Sequence, residues 1–390
     1  MLPTPPPTDT AAAAAAPPAG APAPRRRVLF VDDEPSVLAG LRRMLRPLRD
    51  RWDMYFAPGG PEALDLLARE PIEVVVSDMR MPGMDGAALL NEVRRQHPHI
   101  VRIILSGHSD REMILRSVGP THQYLAKPCD ADTLRDTITR ACALRALLHN
   151  DAIKSLVSQI TALPSLPSVY AGIVAELQSP EASIQRIGNL IATDIGITAK
   201  ILQLVNSAFF GLRRHVATPV MAVNLLGIDT IKALVLSVQL FSSVRADVVG
   251  AFGLNDLWEH SLAVGTLARE IAAGATSAGG DKVADHALMA GLLHDAGLLV
   301  LATNLSDRYR RVAARARAEC LPLWQAEQQL LGASHDEVGA YLLGLWGLPD
   351  PIVEAVAFHH RPGHCVGDDF GALTAVHVAD VLDRETRPTA

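Results

Sequence analysis

The sequence predicts a parallel α/β domain followed by an all-helical domain, and three observations carry that prediction. Between Val28 and Ala126, short apolar runs alternate with stretches of helical periodicity, the pattern of βαβ units with helices on both faces of a sheet. After residue 148 the strand pattern stops, and the chain reads as helices separated by short Pro and Gly breaks. The 390 residues leave room for two domains, and a hydrophobic content of 49% can fill two cores. Aromatics at 4% leave that packing to Leu, Val, Ile and Ala.

Residues 1–24 are almost wholly Pro, Ala, Thr and Gly, a tail that buries too little apolar surface to order itself. It lacks the basic start and apolar centre of a secretory signal. Arg25-Arg26-Arg27 reads as a solvated edge. The first domain is expected over residues 25–147. A strand at 28–31 leads into Asp32-Asp33-Glu34-Pro35, and Pro35 suits the first turn of a helix whose Val37, Leu38, Leu41, Met44 and Leu45 face inward. A weak strand at 53–56 and a helix at 61–68 follow. Residues 74–78 form a buried strand that ends in an acid and turns on Pro82-Gly83. A helix at 86–96, a strand at 101–105, a helix at 110–118 and a strand at 123–126 make five strands in all.

Parallel strands place their carboxyl ends on one rim, where open α/β sheets put their chemistry. Here those ends carry Asp32-Asp33, Asp78, Ser106 and Lys127. Three carboxylates on one rim repel unless a cation neutralises them. A hard divalent ion does so, and Mg²⁺ suits one or two carboxylates plus phosphate oxygens. With Lys127 and the Ser106 hydroxyl opposite, the set supplies what phosphoryl transfer to a carboxylate requires.

These residues resemble the receiver domain of bacterial two-component response regulators. Val31-Asp32-Asp33-Glu34-Pro35, Asp78-Met79-Arg80-Met81-Pro82-Gly83-Met84-Asp85-Gly86, Leu105-Ser106-Gly107 and Tyr124-Leu125-Ala126-Lys127-Pro128 stand in that family's order. The resemblance implies a flavodoxin-like fold with a five-stranded parallel sheet. It implies that Asp78 accepts a phosphoryl group from a sensor histidine kinase. Asp33 and Asp78, Asp32 through water, and the backbone carbonyl of Arg80 would hold Mg²⁺. Ser106 and Lys127 would contact the phosphoryl group, with Tyr124 as the aromatic switch residue.

From Asp130 to Ile160 there is no Gly or Pro, and Asp130 is a plausible N-cap. Leu134, Ile138, Cys142, Leu148, Ile153, Leu156 and Ile160 recur at helical intervals. A last receiver helix is therefore expected to run on over 130–160, whole or with one break. It could pair with a copy of itself as a homodimer, or pack on its own sheet.

The second domain is expected over 148–390. Helices are expected at 184–193 and 198–206 around Asp194-Ile195-Gly196, then at 220–226 and 230–238. Asp194 and Asn206 read as capping and turn groups. His and Asp then gather on successive helices. Asn255 is placed as a cap before Asp256 and His260. His294-Asp295 sits in an apolar helix, Ser334 and Glu337 form a capping-box pattern around His335, His359-His360 ends another helix, and His377 and Asp380 lie one turn apart. Burying such groups without partners is costly; a metal cluster in a helical bundle or a hydrogen-bonded polar network removes that cost.

The set resembles the HD superfamily of metal-dependent phosphohydrolases, which implies His260, His294, Asp295 and Asp380 as ligands of Fe, Mn or Zn. His335, His359 and His360 match the ligand order of the HD-GYP branch, which cleaves cyclic di-GMP. That branch carries a Lys where this chain has Leu298, and no Gly-Tyr-Pro follows His360. The domain as a whole is similar to the related HDOD type, through Leu163-Pro164-Ser165-Leu166-Pro167, Asn206-Ser207-Ala208-Phe209-Phe210-Gly211, Leu226-Gly227 and Gly339-Ala340-Tyr341-Leu342-Leu343. That type implies a non-catalytic signalling output working through an unknown downstream protein. The other reading is a phosphorylation-gated phosphodiesterase acting on a cyclic dinucleotide or other nucleotide.

A net charge of −6 and no basic recognition helix give no reason to expect nucleic acid. Four scattered cysteines without a CxxC pair read as reduced thiols of a cytoplasmic protein. No apolar run is expected to span a membrane.

Overall fold

The fold was analysed in a computed structural model, which describes residues 25–107, 121–145, 147–165, 167–179, 181–206, 216–228, 231, 242–243, 254–275, 281–365 and 369–386. The expected N-terminal tail, the helix at 110–118, residues 207–211 of the Asn206 motif and most of 230–238 lie outside the described residues.

The first unit is β1 (Arg26–Val31), α1 (Pro35–Met44), β2 (Trp52–Ala57), α2 (Gly60–Arg69), β3 (Val74–Asp78), α3 (Gly86–Gln96), β4 (Val101–Ser106) and β5 (Gln123–Ala126). The five strands are parallel in the order β2-β1-β3-β4-β5. The order reverses between β1 and β3, so the switch point lies between the ends of the strands that carry Asp32 and Asp78. Strand alternation divides the sheet's apolar side chains. Leu29, Val31, Val75 and Ile104 face α2 and α3, meeting Ala63, Leu67, Leu89 and Leu90. Val28, Phe30, Val76, Ile103 and Leu105 face the other way, toward Leu41, Leu134 and Ile138.

The connector is two helices, α4 (Ala131–Leu144) and α5 (Asp151–Gln159). Asp130 caps the first by accepting from Thr133 N at 2.8 Å. Asn150 caps the second by accepting from Ala152 N at 3.0 Å, while its amide donates to Leu331 O at 2.7 Å. The apolar positions Leu134, Ile138, Cys142, Leu148 and Ile153 are buried inside the chain. They belong to one core that continues from the sheet into the helical domain.

The helical domain comprises α6 (Pro167–Gln178), α7 (Ile184–Ile191), α8 (Ile195–Asn206), α9 (Pro219–Leu226), α10 (Leu254–Ala275), α11 (Asp281–Leu293), α12 (Ala296–Asn304), α13 (Ser306–Glu319), α14 (Leu323–Leu331), α15 (His335–Leu345), α16 (Asp350–Phe358) and α17 (Ala372–Thr386). Pro164-Ser165 pairs in parallel with Ser242-Ser243. Three expectations are corrected. Helix α7 stops at Ile191, and α8 starts at Ile195 rather than 198, because Asp194 accepts from Ile197 N at 2.8 Å and nucleates the turn. Helix α10 starts at Leu254, so Asn255 lies within its first turn and is not its cap. Residues Lys282–Asn304 are long and apolar enough to cross a membrane by length and composition, contrary to expectation. That stretch is 83% buried inside the fold, and the chain turns within it at His294-Asp295. Of the expected capping box, the Glu337 half forms, its carboxylate accepting from Ser334 N at 3.2 Å, while Ser334 Oγ makes no hydrogen bond among the described residues. Asn206 exchanges hydrogen bonds with the backbone of Val216, a turn-fixing role.

Candidate functional site

At the sheet rim, β3 delivers Asp78. Its carboxylate accepts from Arg80 N at 3.1 Å, and Ser77 Oγ donates to its carbonyl at 2.8 Å. A Cβ on Gly86 would collide with that same carbonyl oxygen, so only glycine lets α3 start this close behind the acid. Lys127 Nζ lies 2.5 Å from Asp78 Oδ1 and 2.8 Å from Asp32 Oδ2. Asp32 is buried, and its other oxygen accepts from Glu34 N at 3.0 Å, turning the chain into α1. Asp33 stands beside it, half-buried. The Lys127 amide donates to Ser106 O at 2.8 Å, which sets the buried Ser106 next to the lysine. Tyr124 is buried on the α2–α3 side of the sheet with Ile104. Arg80 lies in the turn after β3, with an exposed side chain.

Burial pushes the Asp78 carboxyl up, against the pull of Lys127. Burial opposes the charge on Lys127, yet Asp32 and Asp78 hold its proton more tightly than usual. The oxygen donors of Asp32, Asp33 and Asp78 on one rim fit a hard divalent cation.

In the helical domain, all seven nominated residues come together. Asp295, His335, His359 and His360 form one group and His260, His294 and Asp380 another, each with its ligand atoms within 4.8 Å of one another. His260 comes from α10, His294-Asp295 from the turn between α11 and α12, and His335 from the first residue of α15. His359-His360 follow α16, and Asp380 sits on α17. Asp295 stands between the groups. Its Oδ2 lies 3.3 Å from His294 Nε2 and 3.8 Å from His260 Nε2. Its Oδ1 lies 3.2 Å from His335 Nε2 and 3.7 Å from His359 Nε2. Asp380 Oδ1 is 3.1 Å from His260 Nε2.

The outward ring atoms explain this aim. His294 Nδ1 meets Gly291 O at 2.7 Å and His359 Nδ1 meets Val356 O at 2.9 Å. His335 Nδ1 meets Glu327 and His260 Nδ1 meets Asp383, each at 2.6 Å. Carbonyls and carboxylates only accept, so each Nδ1 carries the hydrogen and each Nε2 points inward. Burial opposes the charge on His335 and His260, yet Glu327 and Asp295 at the first, and Asp380, Asp295 and Asp383 at the second, hold a proton more tightly than usual. His294 Nε2, His359 Nε2 and Asp295 Oδ1 are buried with no hydrogen-bond partner. His335 and His360 face each other Nε2 to Nε2 at 2.8 Å. This convergence of ring nitrogens and carboxylate oxygens fits a cation, and mixed imidazole and carboxylate donors suit Fe, Mn or Zn.

Burial and the neighbouring His294 push His359 down to about 3. Burial also drives His360 far below its ordinary value. Burial opposes the charge of Asp295, but His294 and His335 hold it well below the usual carboxylate range. His377 belongs to neither ligand group, and its Nδ1 meets His359 O at 2.6 Å.

Glu327, Asp383, Tyr309 and Arg384 were not nominated from sequence. Tyr309 OH donates to Glu327 Oε1 at 2.7 Å, and Arg384 Nε donates to Asp380 Oδ1 at 2.7 Å. A signal existed for Glu327, which falls at helical spacing between Leu323 and Leu331 on the apolar side of its helix. Asp383 likewise falls one turn after Asp380.

A parallel sheet with an acidic rim, joined to a helical His/Asp bundle, defines a response-regulator receiver with a helical output domain. Residues 28–139 match the response regulator receiver domain, and residues 163–362 match the HDOD domain. The HDOD match covers just over half the chain, which belongs to the HDOD family. The chain is similar to the hydrogenase transcriptional regulatory protein HoxA of Cupriavidus necator, 39% identical over 122 residues, 31% of this chain and 25% of that protein. An uncharacterized protein of Treponema pallidum is 26% identical over 241 residues, 60% of this chain and 45% of that protein. The chain thus spans a quarter to under half the length of these curated relatives. Among solved structures, the MmoQ response regulator of Methylococcus capsulatus is 26% identical with a TM-score of 0.47, covering 58% of this chain and 89% of that one.

Proposed function

We propose that Asp78 accepts a phosphoryl group from a sensor histidine kinase in the cytoplasm and that this state switches the HDOD domain's contacts with a downstream protein. The observation that carries the reading is Lys127 Nζ, 2.5 Å from Asp78 Oδ1 and 2.8 Å from Asp32 Oδ2. In this reading Asp78 is the nucleophile. Asp33, Asp78, the Arg80 carbonyl and, through water, Asp32 hold Mg²⁺, which supplies charge neutralisation when bound. Ser106 and Lys127 meet the phosphoryl oxygens, and Tyr124 follows their movement. The test incubates the full chain with Mg²⁺ and a small phosphodonor, beside Asp78→Asn. Labelling of the first and not the second supports the reading; equal labelling disposes of it.

The helical centre supports a second element of function: His260, His294, Asp295, His335, His359, His360 and Asp380 hold Fe, Mn or Zn. The buried, partnerless Nε2 atoms of His294 and His359 favour it. When bound, the ion would supply Lewis acidity. With Leu298 in place of a lysine and no Gly-Tyr-Pro after His360, the reading is a metal-holding signalling module. Near-stoichiometric metal that is lost in His294→Ala supports it. Turnover of a cyclic dinucleotide by the metal-loaded protein would replace it with a phosphodiesterase.

A further inference from the structure

One helix reaches from the helical centre to the receiver. α15 begins at His335, whose Nε2 is 3.2 Å from Asp295 Oδ1, and it runs to Leu345 against the receiver. Near its far end the Gly344 carbonyl accepts from Gln123 Nε2 of β5 at 3.2 Å. A Cβ at Gly344 would collide with the Leu144 side chain, so α15 lies directly on the end of α4. Between these ends, the fully buried Tyr341 has its hydroxyl 3.3 Å from Ser158 Oγ on α5.

Ser158 passes the connection on. Its carbonyl accepts from Arg102 Nη2 at 2.5 Å and lies 3.0 Å from His122 Nε2. His122 O accepts from Gln203 Nε2 of α8 at 3.2 Å. Arg102 lies near the start of β4 and His122 just before β5, joined by the bond from His122 N to Arg102 O at 2.9 Å. The far ends of these two strands present Ser106 and Lys127 to Asp78. Each strand therefore has one end at the acidic rim and the other tied to the helical domain.

The lengths are short. Four residues of strand cover about 13 Å, and nine residues of helix about 14 Å. Both elements are stiff along their axes; the Gln123 attachment is half-buried, and those through Ser158 are buried. A displacement of β4 and β5 must therefore either leave buried polar groups unpaired or carry α15 with it. His335 cannot absorb that motion by ring rotation, because Glu327 holds both its backbone N and its Nδ1.

We infer that α15 couples the two sites, so that a phosphoryl group on Asp78 changes the affinity of the helical centre for a divalent transition-metal ion. The inference rests on the phosphoacceptor and metal readings above. Linkage makes the effect reciprocal: metal in the helical centre alters occupancy at Asp78 by the same factor.

The test uses the full chain in Mg²⁺, with beryllofluoride as the phosphoryl mimic and Zn²⁺ titrated against a chromogenic chelator. Fluorine NMR reports beryllofluoride binding, with Asp78→Asn as its control, and His294→Ala identifies the helical Zn²⁺ site. In wild type, beryllofluoride should change the Zn²⁺ affinity by about fivefold or more, the lower bound of ordinary allosteric coupling. Gln123→Ala with Tyr341→Phe, both outside the two sites, should bind both probes and lose most of that change. Equal Zn²⁺ affinity with and without bound beryllofluoride overturns the coupling and leaves the site readings standing. A full-sized change in the double variant overturns α15 as its carrier. Failure of either probe to bind overturns the corresponding site reading, and the coupling with it.

Discussion

Glu327 Oε2 lies 2.6 Å from His335 Nδ1 and 2.7 Å from the backbone N of the same residue, so one carboxylate fixes both the ring and the start of α15. The other oxygen takes the Tyr309 hydroxyl at 2.7 Å. Glu327 is thus a fully buried acceptor serving three donors. Partners of this kind set the basicity of a ligating histidine, and their loss typically costs 10- to 100-fold, roughly, in metal affinity. Glu327→Gln should lower Zn²⁺ affinity by about that factor while the fold survives, as read by chelator competition and circular dichroism. Glu327→Ala should also lose about 3 kcal/mol of stability, because three buried donors are left without an acceptor. Unchanged affinity in Glu327→Gln would mean that the carboxylate only packs the helix end.

Gly297 provides a second handle on the same centre. A Cβ there would collide with the carbonyl of His335 and crowd the amide of Gly339. The absent side chain lets α12 press against the first turns of α15 and keeps Asp295 within reach of His335. Gly297→Ala therefore has to separate the two helices. Overpacking of this kind costs about 1–3 kcal/mol, which a urea denaturation curve would register. Metal retention after gel filtration should fall as well, since the ligand spacing opens. A variant that keeps both stability and metal would show that the two backbones can part without cost.

What could be read from the sequence divides along a physical line. The rim residues Asp32, Asp78, Ser106 and Lys127 were legible because parallel strands must end together, which converts four distant motifs into one place. The seven helical residues were nominated because His and Asp on apolar helices demand partners. Glu327 escaped because an acid within Gln325-Ala326-Glu327-Gln328 looks solvated, and only its spacing to Leu323 and Leu331 hints otherwise. The layer between the domains was invisible. Arg102 interrupts an otherwise apolar strand, yet what it meets depends on how α5 docks, and no local pattern records that.

Arg102 shows what that docking is worth. Its buried guanidinium donates to the carbonyls of Pro98, Ile100 and Ser158. Burial lowers its pKa to about 9. Arg102→Met keeps the stem and removes the donors, leaving the buried Ile100 carbonyl without this partner while Ser158 O keeps His122. At about 1–3 kcal/mol for an unsatisfied buried group, the full chain should lose roughly that much in chemical denaturation. An apolar replacement that left stability unchanged would show that the guanidinium's desolvation cancels its hydrogen bonds.

Lys200 gives the interface a pH dependence whose sign can be worked out. It is buried on α8, donates to Thr161 O at 2.6 Å and sits 5.3 Å from the Trp346 ring centre. Burial pushes its pKa down to about 7. An unfolded lysine keeps its proton to about 10.4, so between these values the unfolded chain holds a proton that the folded chain has released. Stability then rises with pH from about 7 to 10, by at most about 1.4 kcal/mol per unit for this group. Below that window both states are protonated and the full cost of burying the charge remains. His122 acts in the same direction at lower pH: burial and Arg102 hold it well below its ordinary value, so acid favours the unfolded, protonated ring. Urea denaturation of wild type across this range should show stability climbing with pH. Lys200→Met should flatten the climb above neutrality, while the acid loss due to His122 persists. Identical slopes in the two proteins would show that Lys200 stays charged in the fold, held by its carbonyl and the indole face.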